Sequence, residues 1–337
     1  MMSADLPLAK KSVPARPRRL RDRLIAFGLV AMFALGVVGL FAATGWEETR
    51  AQIARLTGMQ ILLLLVLSLG NYLLRGLRWH LFARRLGLPT SLAQDMRHFL
   101  GGFAMVVTPG RVGELVRMRW LKRETGWSLE RTAPLALMDR AADLAAMALI
   151  LALCVAFATT GVRGAAPVAL LALAAAFTAT HPRLLAWIVT QVHRLVGRMP
   201  RLFGKLRAAA RSLDRFSGAG TMVPALALGM TGWLAEGYAF HLLLGWMGTD
   251  IGLMKAIAIF IFSTLAGGLT GAPGGVGGAE AAMIALLSLD GVPMEVSVPA
   301  TAIIRVTTLW FALGIGMAVF PVAERLSVRG QNAVEDN

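Results

Sequence analysis

The sequence predicts an all-α polytopic membrane protein, with six full transmembrane helices and two re-entrant helical hairpins arranged as inverted-topology repeats. Three observations carry that expectation: long apolar stretches between clusters of charge, two apolar segments broken by proline and glycine, and self-similarity between the two halves. The 337 residues are 56% hydrophobic and 16% charged, with a mean hydropathy of +0.64. A soluble domain carries about 25% charged residues. An apolar run of about 20 residues is what a helix needs to cross roughly 30 Å of hydrocarbon.

Full spans are expected at about 24–44, 59–79, 132–160, 165–180, 221–247 and 296–320. The first follows a basic stretch from Lys10 to Arg23. A cleaved signal peptide has an apolar region of about 7–15 residues, so this longer run reads as a retained helix. The cleavable alternative would use Ala42 and Ala43 at its end. Residues 1–23 then form a basic cytoplasmic tail, 24–320 the membrane domain and 321–337 a short polar tail.

Orientation follows from the basic residues. Grouping Lys and Arg by loop puts 28 on one side and four (Arg50, Arg55, Arg163 and Lys255) on the other, with only Arg140 and Arg305 inside spans. By the positive-inside rule both termini are cytoplasmic, in a multi-pass plasma membrane of the bacterial inner-membrane type. The formal charge of +15 is thereby explained by topology, and no nucleic-acid partner is expected. Arg75, Arg78, Trp79, Arg84 and Arg85, with Arg117 to Glu124, are expected to form a basic collar at headgroup depth. From Arg183 to Phe216, apolar residues recur at steps of three and four, as in an amphipathic helix lying on the cytoplasmic interface. One cysteine (Cys154) and five scattered histidines give no disulfide, no metal site and no cofactor.

Two apolar segments, about 98–124 and 253–290, are interrupted in the middle. Irregular backbone at membrane depth is tolerated only where it lines a cavity or is buried in protein, so both read as re-entrant hairpins. The first contains Thr108-Pro109-Gly110-Arg111-Val112-Gly113-Glu114, the second Ala272-Pro273-Gly274-Gly275-Val276-Gly277-Gly278. With Pro109 on Pro273, and after a shift of one residue, Gly126, Glu130, Pro134 and Arg140 fall on Gly291, Glu295, Pro299 and Arg305, all at an offset of 165. Repeat 1 then covers about 59–160 and repeat 2 about 221–320. The first hairpin starts from the cytoplasm and the second from outside, which makes the halves inverted.

The candidate substrate-binding residues follow from those breaks. Pro109, Gly110, Arg111 and Gly113, with Pro273, Gly274, Gly275, Gly277 and Gly278, free backbone amides where a half-helix starts. Such amides suit an anion; the alternative is that the glycines serve tight helix packing. Charged side chains near the centre of a span cost about 2.5–3.5 kcal/mol each, so Arg140, Arg305, Glu114, Asp139, Asp143, Glu280 and Glu236 require a reason. Either Arg140 and Arg305 engage a lipid phosphate, one from each half, or Arg140 pairs with Glu114 or Asp143 and Arg305 with Glu280.

RGLRWHLFARRLG (76 onward with its preceding Arg75), TPGRVGELVRMRWLKRE, LMDRAADL and GGLTGAPGGVGGAEAAMIALL followed by Arg305 resemble the flippase-like family related to the transmembrane region of lysylphosphatidylglycerol synthase, over about residues 59–320. The resemblance implies movement of an amphiphilic, anionic or phosphate-bearing lipid between leaflets. With 17 residues after Phe320, the soluble aminoacyl-transferase domain of the full-length synthases is not expected here. Membrane lipids are the expected partners, with a homo-oligomer or separate lipid-synthesising enzymes as further ones. A non-transporting scaffold is the alternative, and an intramembrane lipid enzyme using Asp139 and Asp143 a third; no nucleophile elbow, metal motif or phosphate loop supports the last.

Overall fold

The computed structural model describes residues 50–51, 54, 56–108, 112–157, 165–196, 203–204, 207, 210–211 and 213–335, and among these it is all helical, without strands. The expected span at 24–44 and the expected anion-binding residues Pro109, Gly110 and Arg111 lie outside the described residues.

Helix α1 (Gly58–Leu86) starts at a capping box, in which the Gln60 amide donates to Thr57 and the Thr57 amide to the Gln60 side chain, and it ends at Gly87 in the left-handed region (φ 83°). Its exterior stripe is Met59, Leu62, Leu63, Val66, Leu73 and Leu77. Its interior face holds Ser68, Asn71, Tyr72, Arg75 and Arg78. Apolar outside and polar inside is the arrangement lipid demands, because only protein can answer the polar groups. Sequence reading ended this span at 79 and placed Arg75 and Arg78 in a cytoplasmic collar; the helix instead runs to Leu86 and buries both. The apolar exterior and the absence of a helix stop before Gly87 carry it past them.

Helix α2 (Leu92–Gly101) begins at a second capping box, Ser91 with Gln94, and tightens into a 3-10 turn at Gly102–Met105. Helix α3 (Val112–Thr125) follows, then Gly126 at φ 74° and α4 (Leu129–Phe157). Arg97 on α2 meets Glu124 on α3 at 2.8 Å; His98 lies 3.2 Å from the same carboxylate, and the Gln94 amide donates to it.

Helix α5 (Ala165–Thr180) is followed by α6 (Pro182–Val196), bent by 96° from it. The amphipathic stretch expected from 183 to 216 is thus a helix to Val196, with a separate 3-10 turn at Leu213–Phe216.

The second half opens with α7 (Ala219–Trp246) and α8 (Leu253–Leu269). After a 3-10 turn at Pro273–Gly275 come α9 (Gly278–Leu289), Gly291 at φ 85°, and α10 (Met294–Arg305). A π-helical turn at Val306–Trp310 leads into α11 (Phe311–Glu335), so the expected polar tail after 320 is helical. Helices α4 and α10 start 165 residues apart, each after a left-handed glycine and each with a proline, Pro134 or Pro299, at its sixth position.

By length and composition, three helical runs among the described residues can cross a membrane: Gly58–Leu86, Leu129–Phe157 and Met294–Gln331; the bent pair α5–α6 makes up to four. That is fewer than the six full spans the sequence suggested. Helix α7 occupies the expected 221–247 span, but Glu236, His241 and its glycines dilute its apolar character. Helices α8 and α9 are short apolar helices on either side of the second break. The largest apolar core gathers α7, α8, α4 and α10 around Phe240, Leu243, Ile257 and Ile304, and a second packs Trp79, Phe82, Phe99 and Phe216.

Close backbone approach holds α11 against the first break. A Cβ on Gly316 would stand 2.1 Å from the Ala104 nitrogen, whereas one on Gly314 meets nothing within 4 Å. Overpacking costs about 1–3 kcal/mol, so Gly316→Ala is expected to lower the melting temperature of the detergent-purified protein and Gly314→Ala to leave it unchanged or raise it. Equal behaviour of the two variants would contradict the contact. Burial alone would push the pKa of Glu124 up, but hydrogen bonding and charge from His98, with Gln94 and Arg97, hold it below the ordinary glutamate range. A carboxyl depressed in the folded state gives stability that is present above its unfolded value and lost as pH falls. Glu124→Gln should therefore flatten the fall in melting temperature on acidification below the usual carboxylate range; an unchanged slope would show that Glu124 does not carry it.

Candidate functional site

The site is built from opposed charges on helices that the apolar cores press together. On α1, Asn71, Arg75 and Arg78 follow a spacing of four and three and share a face. On α4, Asp139 and Asp143 are one turn apart and look back at them. Arg78 Nη2 reaches Asp139 Oδ1 at 2.6 Å and Asp143 Oδ1 at 2.8 Å, while Arg75 Nη2 reaches Asp143 Oδ2 at 2.6 Å. Arg78 is 0% and Asp139 1% exposed. Trp233 on α7 donates its indole N–H to Asp143 Oδ1 at 3.2 Å, and the Arg75 guanidinium lies 4.9 Å from the Trp233 ring centroid. Small residues make room: Gly229 faces Arg78 and Gly232 faces Asn71, each at a distance no added Cβ would accept.

Beside this four-membered cluster each half carries a clasp. Arg140 on α4 forms an ion pair with Glu114 in the first turn of α3, Nε to Oε1 at 2.7 Å, with Asp143 Oδ2 at 3.6 Å. Arg305 at the end of α10 bonds Glu280 in the first turn of α9, Nε to Oε1 at 2.5 Å, and donates to the Gly274 carbonyl at 2.9 Å. Glu280 also accepts the Gly277 amide at 2.7 Å, so one carboxylate ties the helix start to the arginine. In both halves the arginine of a long helix grips the glutamate that begins the helix after the break.

The breaks themselves close on glycine. A Cβ on Gly113 would lie 2.5 Å from the Gly102 carbonyl oxygen; in the other half a Cβ on Gly278 would lie 3.4 Å from the Gly267 Cα, and one on Gly275 3.1 Å from the Gly267 backbone. Gly274, Gly275 and Gly277 take φ of 62°, 68° and 85°, a region that side chains rarely adopt. Pro273 opens the 3-10 turn between them. The clusters meet near the middle: the Tyr72 hydroxyl donates to the Thr308 carbonyl in the π turn at 2.5 Å, and Glu236 on α7 lies in the field of Arg75, Arg305 and Asp143.

Of the sequence candidates, Arg140, Glu114, Asp139 and Asp143 are thus brought together, and Arg305, Glu280, Gly274 and Gly277 form a second group. The ion pairs weighed as one alternative are both present. Sequence reading assigned Arg75, Arg78 and Arg117 to a collar at headgroup depth and did not single out Tyr72 or Trp233. Two aspartates at one face of α4 with a single assigned arginine were an imbalance that pointed to further cations, and the Asn71, Arg75, Arg78 spacing was the place to find them. Arg119 and Arg123 from the expected collar instead bond Glu324 on α11, at 2.6 and 2.7 Å. Among the described residues no three His, Cys, Asp or Glu are grouped to hold a metal ion.

A helical bundle with an outward apolar face and a core of bonded charges defines a polytopic membrane protein. Residues 24–316 match the family described as the lysylphosphatidylglycerol synthase TM region, and the chain belongs to that family. It is 25% identical over 322 residues to a UPF0104 membrane protein of Methanothermobacter thermautotrophicus, covering 88% of this chain and 94% of that one. A second UPF0104 membrane protein of the same organism is 23% identical over 329 residues, covering 89% and 93%.

Removing one partner of a buried ion pair costs about 3–5 kcal/mol because the other charge is left desolvated. Arg78→Met, which strands Asp139 and half of Asp143, should sharply lower the melting temperature. Adding Asp139→Asn to it should recover part of that loss. No recovery in the double variant would show that the two side chains are not coupled.

Proposed function

We propose that the protein moves an amphiphilic, phosphate-bearing lipid between membrane leaflets, its headgroup passing through a polar cavity between two re-entrant hairpins of inverted topology. The observation that carries this reading is the doubled clasp, Arg140–Glu114 and Arg305–Glu280, placed after each helix break with the arginines 165 residues apart. Carriers built from inverted repeats put discontinuous helices and their charges at the repeat interface near the midplane. The matched helix starts at Leu129 and Met294, the paired prolines Pro134 and Pro299, and the paired glycine contacts Gly102–Gly113 and Gly267–Gly278 support the duplication. Family membership supports the lipid-related setting by analogy.

The protein is read as a transporter, not an enzyme. Asp139 and Asp143 are both held by arginines, which suits a fixed scaffold better than an acid–base pair. We place it in a bacterial inner membrane with both termini cytoplasmic, in keeping with its basic loops, and with lipids as its partners.

In proteoliposomes, a headgroup-labelled phosphatidylglycerol should cross to the outer leaflet faster with the wild-type protein than without it. Arg140→Ala/Arg305→Ala should return the rate to the protein-free value. Wild-type and double-variant rates that agree across a panel of phosphate-bearing lipids would reject the reading. Cysteines introduced at Gly126 and Gly291 should label from opposite sides of the membrane; labelling from one side would reject the inversion.

A further inference from the structure

The buried charges do not cancel locally. Around α1, α3 and α4, four guanidiniums (Arg75, Arg78, Arg117 and Arg140) share three carboxylates (Glu114, Asp139 and Asp143). Three of the arginines are bonded to those carboxylates. Arg117, in the second turn of α3, is not: it is 3% exposed, and its Nε and Nη1 are buried without a hydrogen-bond acceptor among the described residues. A fourth carboxylate, Glu236, lies in the field of Arg75, Arg305 and Asp143, whereas the charges acting on Arg117 are those of Arg140, Asp139, Glu114 and Arg75.

What surrounds Arg117 is aromatic. Its guanidinium stands 4.3 Å from the Phe99 ring centroid, 5.4 Å from Trp79 and 5.6 Å from Phe103. Gly102 leaves the space, since a Cβ there would lie 2.1 Å from Nε. Cation–π attraction offsets part of the desolvation, but rings supply no oxygen for the N–H groups. A buried guanidinium is tolerated when it is paired and hydrogen-bonded. Here the protein supplies the cage and withholds the anion. The residue also sits in the second turn of α3, three residues after Glu114.

We propose that Arg117 is the anion-reading residue of this site, its guanidinium taking a phosphate group within the cage of Phe99, Trp79 and Phe103. A phosphate fits because its oxygens can accept two N–H groups of one guanidinium side by side. Glu114 does not compete, being bonded to Arg140. This inference takes the lipid as carrier of the phosphate from the function proposed above. It differs in assigning the headgroup contact to an arginine whose Nε and Nη1 lack a partner among the described residues, while Arg140 and Arg305 hold the helix breaks.

The test is calorimetric titration of the detergent-purified full-length protein with dihexanoyl phosphatidic acid and, separately, with inorganic phosphate. Wild type should bind the short-chain lipid saturably. Loss of a charge-assisted hydrogen bond should weaken binding at least about tenfold in Arg117→Met, less in Arg117→Lys, and not at all in the surface control Arg131→Met. The ligand-free melting temperature of Arg117→Met should equal or exceed that of wild type, because an unpaired buried charge is replaced by an apolar chain. The proposal is overturned if wild type binds neither probe, if Arg117→Met binds like wild type, or if its ligand-free melting temperature falls as far as that of Arg78→Met, which would make the guanidinium structural. Inorganic phosphate binding as tightly as the lipid would uphold the phosphate site and remove the lipid cargo. Intact binding without any lipid flip would uphold the site and sink translocation.

Discussion

Everything in this bundle depends on the ion cluster that joins α1 to α4. Two arginines and two aspartates, all at least nine-tenths buried, exchange bonds of 2.6 to 2.8 Å between residues 61 to 68 apart in the chain. Helices in lipid gain nothing from hiding apolar surface from one another, because the acyl chains are equally apolar. Register between them must come from packing and from polar contacts that lipid cannot replace. Sliding α1 by one residue would separate Arg78 from Asp139 and leave four charges in a medium where none is solvated. The cluster therefore fixes one register, and the Trp233 N–H bonded to Asp143 brings α7, the first helix of the other half, into it.

That constraint explains the distribution of glycine. Guanidiniums and an asparagine at a helix interface need facing positions without side chains, and Gly229 and Gly232 on α7 supply them. The breaks use glycine differently, for backbone that turns back upon itself, as at Gly102 against Gly113 and Gly267 against Gly278. Each break is then locked by a glutamate and an arginine instead of by apolar packing. An ion-pair lock has a property apolar contact lacks: an anion of another origin can take the place of its carboxylate.

Much of this was legible in the sequence because lipid-facing helices must be apolar outside, and helix breaks in lipid must be marked by proline and glycine. Both broken segments, the clasps as one of two alternatives, and the spans at 59–79 and 132–160 follow from those rules. What was hidden was whether a charge near the end of an apolar run lies in the headgroups or in the core. Arg75, Arg78 and Arg117 lie toward the ends of apolar segments, where the same arginine satisfies either environment. Only the partner decides, and the partners are 60 or more residues away for Arg75 and Arg78. Likewise Glu324 turned an expected tail into a helix through its bonds to Arg119, Arg123 and Trp120, contacts 200 or more residues apart in the chain.

The two clasps share a design but not an environment. The side chains of Arg140 and Glu114 are 35% and 25% accessible, those of Arg305 and Glu280 8% and 10%. Screening and water weaken the first pair relative to the second, because the same Coulomb attraction grows as the local dielectric falls. A symmetric carrier halfway through its cycle would present both alike. Under the proposed function the inequality corresponds to a state opened on the side of the first break and closed on the other. An anion arriving there meets Arg140 partly accessible and Arg117 unpaired in its aromatic cage, whereas the second break offers no cation that is not already bonded. Reaching the opposite state then requires the Arg305–Glu280 bond to loosen as the Arg140–Glu114 bond becomes enclosed, so that the two halves exchange environments while keeping their internal pairs.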